Sequence, residues 1–275
     1  MKHPTFLVAT DFSKTGMTVV RKALEIAQSH QADLHIVHII DAPWYTVKQE
    51  IEAIREHSWN ALSNTFSTLQ KNNFHCLQGN IVSQIFETAQ RIGATLLIIG
   101  SSGENYLFKD FLVGSTTKNI IRNSTLPILV IKNDEPLNPQ KILIPTDLSE
   151  NSKMTIHNTA ELFPEAKILM LSFFDVPFEG RLSFYGFNGS DIMNYQMQIR
   201  KNHEISTQAF SSTLDLTEEK AQMITQKGPL SPQLFLEVSN SLKINMVSIH
   251  TSGDFSFFAL DLLEESHHDV LIFKF

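Results

Sequence analysis

Short apolar runs alternate with longer amphipathic stretches along the whole chain, and this alternation predicts strands followed by helices. In the first half, the apolar runs have the length and aliphatic content of buried parallel strands. They cover residues 5–10, 34–40, 74–78, 94–99 and 127–131. Apolar residues at helical spacing predict helices at residues 15–30, 46–71, 81–91 and 116–123. This order is typical of a doubly wound parallel sheet covered by helices on both faces.

The second half of the chain repeats the first. Residues 6–13, FLVATDFS, recur 136 positions later as ILIPTDLS at residues 142–149. Two further pairs of segments keep the same order, residues 79–86 with 228–235 and residues 94–103 with 244–253. Strands of the second copy are predicted at residues 141–145, 167–173, 221–225, 244–249 and 270–273.

We therefore predict two tandem α/β domains, residues 1–134 and 140–275, each with a five-stranded parallel sheet flanked by helices. The link between them, residues 133–140, is rich in Asp, Asn and Pro. Residues 177–190 are rich in Gly, Phe and Asn and predict an irregular loop. In both domains the carboxyl ends of the strands share one edge of the sheet, and ligands bind at that edge in such folds.

Composition and charge narrow the class of protein. The single cysteine, Cys76, excludes a disulfide framework within the chain and fits a reducing compartment. Apolar runs stay well short of the roughly eighteen residues of a membrane helix, and an early strand pattern leaves no room for a signal peptide. We therefore expect a cytoplasmic protein without a membrane partner.

The formal charge of −7 lies entirely in the second half of the chain. Residues 1–138 carry twelve basic and twelve acidic side chains, whereas residues 139–275 carry ten and seventeen. Neither half has the basic stripe that nucleic-acid binding requires, so we expect no nucleic-acid partner.

A glycine-rich stretch follows the predicted strand at residues 94–99. It has Gly100 and Gly103, then ten residues, then Gly114, Ser115 and Thr116. Glycines let backbone N–H groups approach an anion, and the unpaired amides of a helix's first turn carry partial positive charge. This stretch is therefore a candidate phosphate loop. A plain turn is the competing interpretation, since neither the P-loop nor the dinucleotide spacing is present.

The equivalent stretch of the second copy is eight residues shorter and more acidic. His250 replaces Gly100 there. Like charges oppose a polyphosphate, so we expect only the first copy to hold one. The acidic residues concerned are Asp254, Asp261, Glu264 and Glu265.

The glycine spacing resembles the nucleotide loop of the universal stress protein family, G-x2-G-x9-G-[S/T], with one extra residue between the second and third glycines. Strands ending in Thr10-Asp11 and Thr146-Asp147 extend the resemblance over nearly the whole chain, in a tandem two-domain form. The resemblance implies an adenine nucleotide alpha-hydrolase-like fold that binds ATP or AMP, with or without Mg²⁺.

The resemblance also implies a role for individual residues. Asp11 would accept a hydrogen bond from the adenine amino group, and Ile39 would contact the base through its backbone. Gly100 would lie near the ribose, and the residues from Gly103 to Thr116 that match the loop would hold phosphates. Helix capping is the competing role for Asp11 and for its counterpart Asp147. The implied site is Ala9, Thr10, Asp11, Ile39, Gly100, Gly103, Gly114, Ser115 and Thr116.

Three functions stay open on the sequence alone. The resemblance favours a regulatory stress-response protein whose degenerate second domain covers the edge strand of the first. That arrangement would be an intramolecular pseudo-dimer, and two chains could pair further as a homodimer. The alternatives are a Mg²⁺-dependent adenine-nucleotide hydrolase or transferase and an interaction module without a ligand.

Binding is favoured over catalysis and over a metal site. The sequence has no nucleophile elbow and no carboxylate pair in a glycosidase context. His35 and His38 are three apart on a predicted strand, so they point to opposite faces and cannot chelate one ion together. Lys109 and Lys118 flank Gly114 and are candidates to neutralise phosphate charge, with solvated lysines as the competing interpretation.

Overall fold

A computed structural model of the chain describes residues 3–41, 48–101, 113–251 and 257–275. The chain divides into two compact units. The first is Met1–Asn138 with Thr251–Lys274, and the second is Pro139–His250 with Phe275. The last helix and strand of the second sequence repeat therefore belong to the first unit.

The first unit is a mainly parallel sheet in the order β3-β2-β1-β4-β5-β10, with helices along its connections. Its described strands are β1 Thr5–Ala9, β2 Asp33–Ile40, β3 Phe74–Gln78, β4 Leu96–Gly100, β5 Ile128–Ile131 and β10 Asp269–Lys274. Its described helices are α1 Lys14–Ser29, α2 Lys48–Thr65, α3 Ile81–Ile92, α4 Ser115–Asn123 and α8 Phe257–Glu265, with a 3₁₀ turn at Lys71–Asn73. The predicted α/β class with a mostly parallel sheet is confirmed.

Local caps explain where the helices begin and end. The Ser13 hydroxyl accepts the N–H of Gly16 at 3.0 Å and starts α1. Gly93, in the left-handed conformation with φ 67°, ends α3, and the Ala94 N–H bonds back to the carbonyl of Ala89. Because Ala94 is held by this cap, β4 begins two residues later than the apolar run predicts.

The edge strand β5 is covered by β10, as the sequence predicts. The two strands pair antiparallel, with Val270 opposite Val130 and Ile272 opposite Ile128. Leu129 and Leu271, the middle pair, are both fully buried. An apolar edge that would otherwise template aggregation is thereby closed.

A buried ion pair that the sequence pattern does not reveal ties α1 to β10. The Lys22 Nζ lies 2.5 Å from Oδ2 of Asp269, and the two side chains are 1% and 4% exposed. The same ammonium group donates to the backbone and side-chain oxygens of Asn133 at 3.1 and 3.0 Å. Lys22 lies within the apolar stripe of α1, between Val20 and Ala23, both fully buried.

The second unit has a parallel sheet in the order β9-β6-β7-β8. Its strands are β6 Lys141–Pro145, β7 Lys167–Phe174, β8 Ala221–Lys227 and β9 Met246–Thr251. Its helices are α5 Glu150–Leu162, α6 Gly189–Ser212 and α7 Pro232–Leu242.

Two predicted segments differ from the structure. The helix predicted at residues 46–71 ends at Thr65, since Thr65, Ser67 and Thr68 are poor helix formers. The loop predicted at residues 177–190 is instead ordered, with a 3₁₀ helix at Glu179–Tyr185 and the start of α6. A capping box between Asn188 and Asp191 starts α6, and this Asn-x-x-Asp pattern was readable in the sequence.

Candidate functional site

A cavity of about 540 Å³ opens at the carboxyl ends of β1, β2 and β4. It lies where the strand order changes direction on either side of β1, the usual ligand position in a doubly wound sheet. Gly103 lies outside the described residues. The other eight residues predicted for the site all line this cavity, namely Ala9, Thr10, Asp11, Ile39, Gly100, Gly114, Ser115 and Thr116.

Asp11 uses one carboxylate oxygen for the fold and leaves the other unpaired. Its Oδ1 accepts the backbone N–H of Ser13 at 3.0 Å and the Ser13 hydroxyl at 2.6 Å. Ser13 is the residue that caps α1, so Asp11 supports the cap without being the cap itself. Its Oδ2 is buried and has no hydrogen-bond partner among the described residues. A buried acceptor of this kind fits a donor that arrives with a ligand.

Gly16, in the first turn of α1, is a site residue that the sequence analysis missed. A Cβ on Gly16 would lie 2.4 Å from Asp11 Oδ1 and 2.8 Å from Thr10 Oγ1 in the present geometry. The glycine therefore makes room for the Asp11 carboxylate beside the helix. Because glycine is unfavourable inside a helix, its presence there was an available signal.

The second repeat places a serine at the position of Gly16. Its Ser152 hydroxyl donates to Oδ1 of Asp147 at 2.7 Å, and the backbone N–H of Ser149 donates to the same oxygen at 3.0 Å. Partial burial of the carboxyl group raises the pKa of Asp147, but hydrogen bonds from the side chains of Ser149 and Ser152 and from the Ser149 N–H outweigh it and hold the pKa below its ordinary value. Ser149 is the N-cap of α5, so Asp147, like Asp11, supports the cap without being the cap itself.

The end of the cavity near β2 combines apolar walls with open backbone groups. Pairing of β1 with β2 ends at Ala9 and Val37, and the Thr10 N–H donates to the carbonyl of Val37 at 3.0 Å. Peptide groups two residues apart on a strand point the same way, so those of Ile39 face the side where β1 has ended. The apolar wall residues nearby include Ile81 and Ile85. This end suits a planar ring with hydrogen-bonding edges.

The opposite end of the cavity is the uncapped start of α4. Gly114 is the N-cap residue and makes no side-chain capping bond, while its own N–H donates to the Ser101 carbonyl at 2.9 Å. The Thr117 hydroxyl donates to the Gly100 carbonyl at 3.1 Å and ties α4 to β4. The first-turn amides, at Ser115 and Thr116, therefore have no intrahelical acceptor and favour an anion.

The lysine candidates do not lie on the described cavity wall. Lys118 forms an ion pair with Glu264 and does not line the cavity, which argues against a direct role in neutralising phosphate. Lys109 lies outside the described residues. The described wall carries two carboxylates, Asp11 and Asp41, and no lysine or arginine. Its attraction for an anion therefore comes from backbone amides.

Histidine and cysteine side chains near the sheet are engaged in packing. His35 Nδ1 lies 2.9 Å from His75 Nε2, whereas His38 Nδ1 lies 2.9 Å from the Thr10 carbonyl, so His35 and His38 do have separate partners. Cys76 is a buried free thiol whose pKa is raised by burial. No group of three or more His, Cys, Asp or Glu side chains in the described part of the chain is placed to hold a metal ion. No described helix is long and apolar enough to cross a membrane.

Known proteins resemble this chain in sequence over about half of its length and in fold over nearly its full length. Universal stress protein MJ0531 of Methanocaldococcus jannaschii is 25% identical over 141 residues, 47% of this chain and 82% of that protein. Universal stress protein A homolog 1 of Coxiella burnetii is 26% identical over 143 residues, 48% of this chain and 97% of that protein.

Some crystal structures match over almost all of the chain. A functionally unknown protein of Pseudomonas aeruginosa, PA1789, has a TM-score of 0.69 at 17% identity, covering 98% of this chain and 92% of that one. A universal stress protein of Archaeoglobus fulgidus has a TM-score of 0.66 at 13% identity, covering 99% and 97%. At these identities the likeness concerns the fold.

The family assignment comes from the sequence of the first repeat. Residues 3–132 match the model of the universal stress protein family, and they include the Thr10-Asp11 strand end and the Gly100 to Thr116 stretch. Residues 3–132 therefore form a universal stress protein domain.

Proposed function

We propose that this chain is a stress-response protein that binds ATP or a related adenine nucleotide, such as AMP, in the cavity of its first domain, and that binding is regulatory. The observation that supports this most strongly is Oδ2 of Asp11, which is buried on the cavity wall without a partner among the described residues. An adenine amino group supplies the missing donor. Leaving such an acceptor unpaired costs about 1–3 kcal/mol, which a ligand would recover.

The rest of the nucleotide would follow the cavity from β2 to α4. The backbone of Ile39 would meet the ring edge of the base, and Gly100 would lie near the ribose. The first-turn amides of α4, at Ser115 and Thr116, would hold phosphate oxygens together with Gly103. Gly114, whose N–H is taken by the Ser101 carbonyl, would let the phosphates approach without a Cβ in the way. Mg²⁺ binds mainly through phosphates and water, so it requires few protein ligands, and Asp41 is the carboxylate available for it on the described wall.

The second domain would support the first without binding a nucleotide. We propose the division into residues 1–134 and 140–275, with the second domain degenerate and the pair acting as an intramolecular pseudo-dimer. The antiparallel pairing of β5 with β10 supports this proposal. A cytoplasmic location, possible pairing of two chains and the absence of a nucleic-acid partner belong to the same proposal.

Titration calorimetry on nucleotide-stripped protein tests the proposal, with ATP and AMP each at millimolar Mg²⁺. We expect the wild-type chain to bind one nucleotide. Asp11→Asn keeps an oxygen for Ser13 but turns the free acceptor into a donor facing the adenine amino group. We therefore expect the nucleotide affinity of this variant to fall by about 5- to 150-fold. Asp147→Asn is the matched control and should bind like the wild type.

Two results would count against regulatory nucleotide binding. Absence of heat from both nucleotides would favour an interaction module without a ligand. Phosphate release in proportion to protein concentration, at saturating ATP, would instead favour a hydrolase or transferase on the same scaffold.

A further inference from the structure

The helix that faces the proposed phosphates, α4, is attached at both ends to the C-terminal segment, residues 257–274. Near its start, Lys118 forms an ion pair with Glu264 of α8. At its end, the Lys274 Nζ of β10 donates to the carbonyl of Arg122 at 2.5 Å. All of these residues belong to the first compact unit, although the second sequence repeat contributes Glu264 and Lys274.

The C-terminal segment is itself firmly anchored beside β5. The backbone N–H of Lys132 donates to Oδ1 of Asp269 at 2.8 Å. The Lys132 ammonium group donates to the carbonyls of Leu263 and Glu264 at the end of α8, the second at 3.1 Å. Asp269 is only 3% exposed, so its side of this junction is shielded from water, and burial lowers the pKa of Lys132 to about 8. Glu264 therefore projects from a fixed helix.

Glu264 and the cavity lie on different sides of α4. Thr116, Thr117 and Ile120 of α4 line the cavity, whereas Lys118 does not. Positions 116 and 120 share a helix face, and position 118 is turned roughly 200° away from position 116. Glu264 can therefore affect a bound phosphate only by holding α4 in place.

We infer that Glu264 is a positioning residue for the phosphate end of the cavity, acting through its ion pair with Lys118 to set where the first-turn amides of α4 point. This inference rests on the proposed nucleotide binding. It gives the degenerate repeat a part in the binding site of the other repeat. Ligand occupancy and attachment of the C-terminal segment would then stabilise each other.

The test compares Glu264→Gln with Glu265→Gln, since both substitutions remove one negative charge from α8 and Glu265 is exposed. If charge alone mattered, losing Glu264 would strengthen binding of an anion, because a carboxylate is removed and Lys118 is released. If Glu264 instead positions α4, its loss should weaken the binding of ATP. We expect the ATP affinity of Glu264→Gln to fall about fivefold, because misplaced first-turn amides would lose part of the attraction between a helix terminus and an anion. The ATP affinity of Glu265→Gln should equal that of the wild type.

Adenosine separates positioning from general loss of structure, because it lacks the phosphates that α4 would hold. Its affinity, measured by the same calorimetry, should be equal in the wild type and in Glu264→Gln. The Lys118 N–H donates to the Gly114 carbonyl at 3.0 Å and is the first protected amide of α4. Without ligand, hydrogen exchange of this amide and of those that follow it in α4 should be faster in Glu264→Gln than in Glu265→Gln. Should Glu264→Gln fail to fold, Lys274→Met removes the attachment at the other end of α4 and should show the same split between ATP and adenosine.

The outcomes distinguish this inference from the function on which it rests. A wild-type chain that binds neither ATP nor adenosine overturns both. A wild-type chain that binds ATP, with Glu264→Gln binding it equally well or more tightly, overturns the positioning role alone. Equal loss of ATP and adenosine affinity in Glu264→Gln would also overturn it.

Discussion

Replacing Lys22 by Met should be among the most damaging single substitutions in the first unit. The Lys22 ammonium group lies 2.5 Å from the Asp269 carboxylate, with both side chains almost fully buried. Removing one member of a buried ion pair leaves an unpaired charge in a medium that solvates it poorly, and the usual cost is about 3–5 kcal/mol. We therefore expect Lys22→Met to lower the free energy of unfolding by about that amount.

The contacts that Asp269 keeps and loses support a decrease of about 3–5 kcal/mol in the free energy of unfolding. After the substitution, its carboxylate would keep two backbone donors, the N–H groups of Lys132 at 2.8 Å and Asn133 at 3.4 Å. Burial already raises the pKa of Asp269, and Lys22 is the main group opposing that rise. Without Lys22 the pKa should rise further, so part of the cost would be relieved by protonation at low pH. The double variant Lys22→Met/Asp269→Asn buries no unpaired charge and should recover most of the lost stability.

Urea unfolding measures this loss. With a slope of about 2 kcal/mol per molar urea, a loss of about 4 kcal/mol lowers the midpoint by about 2 M. Because the chain has two compact units, the transition should be followed by a probe in the first unit, such as the fluorescence of Trp59 near Phe74. Lys14→Met, on the exposed side of α1, is the control and should change stability by less than about 0.5 kcal/mol. A midpoint for Lys22→Met equal to that of Lys14→Met would refute the reasoning.

Two further predictions concern the partly buried His75 and the buried Cys76 of β3. Burial, with a smaller effect of His35, lowers the pKa of His75 from 6.5 to about 4. As the pH falls from 6.5 towards 4, the unfolded chain therefore binds a proton at His75 that the folded chain does not, and the free energy of unfolding decreases. NMR titration of His75 should give a midpoint near pH 4, and a midpoint near 6.5 would contradict this. In His75→Gln, the free energy of unfolding should depend less on pH between 4 and 6.5. Cys76, 7% exposed with a pKa raised by burial, should react with a thiol reagent only after urea unfolding, and rapid labelling of the native chain would count against it.

The α/β alternation and the order of elements could be predicted because they depend on local patterns. Runs such as residues 127–131 are aliphatic throughout, as expected for strands buried on both faces. The pairing of that run with residues 270–273 was predictable for a different reason, since an apolar edge strand needs a cover. Element ends were less accurate, because the cap at Gly93 and Ala94 depends on backbone geometry that an apolar run does not reveal.

The candidate site was predictable where it lies on contiguous motifs, and not where it depends on contacts between distant segments. Gly100, Gly114 and Asp11 stand at strand and helix ends, so their meeting at one edge follows from the parallel sheet. The partner of Lys118 could not be inferred, because Glu264 lies 146 positions away on a helix of the other repeat. Its location relative to α4 depends on how β10 pairs with β5, which residue spacing does not encode.

The turn at the start of α1 is repeated at the start of α5, so the two carboxylates can be compared. Asp11 and Asp147 occupy equivalent positions, and each accepts a hydrogen bond from a serine two residues later. Asp147 is exposed and is also held by the hydroxyl of Ser152, whereas Asp11 has a buried unpaired oxygen beside Gly16. The turn itself therefore does not require a buried, unpaired carboxylate oxygen. Leaving the Asp11 oxygen without a hydrogen bond costs about 1–3 kcal/mol in the first repeat. A donor from outside the turn would offset this cost, and we assign that role to the adenine amino group.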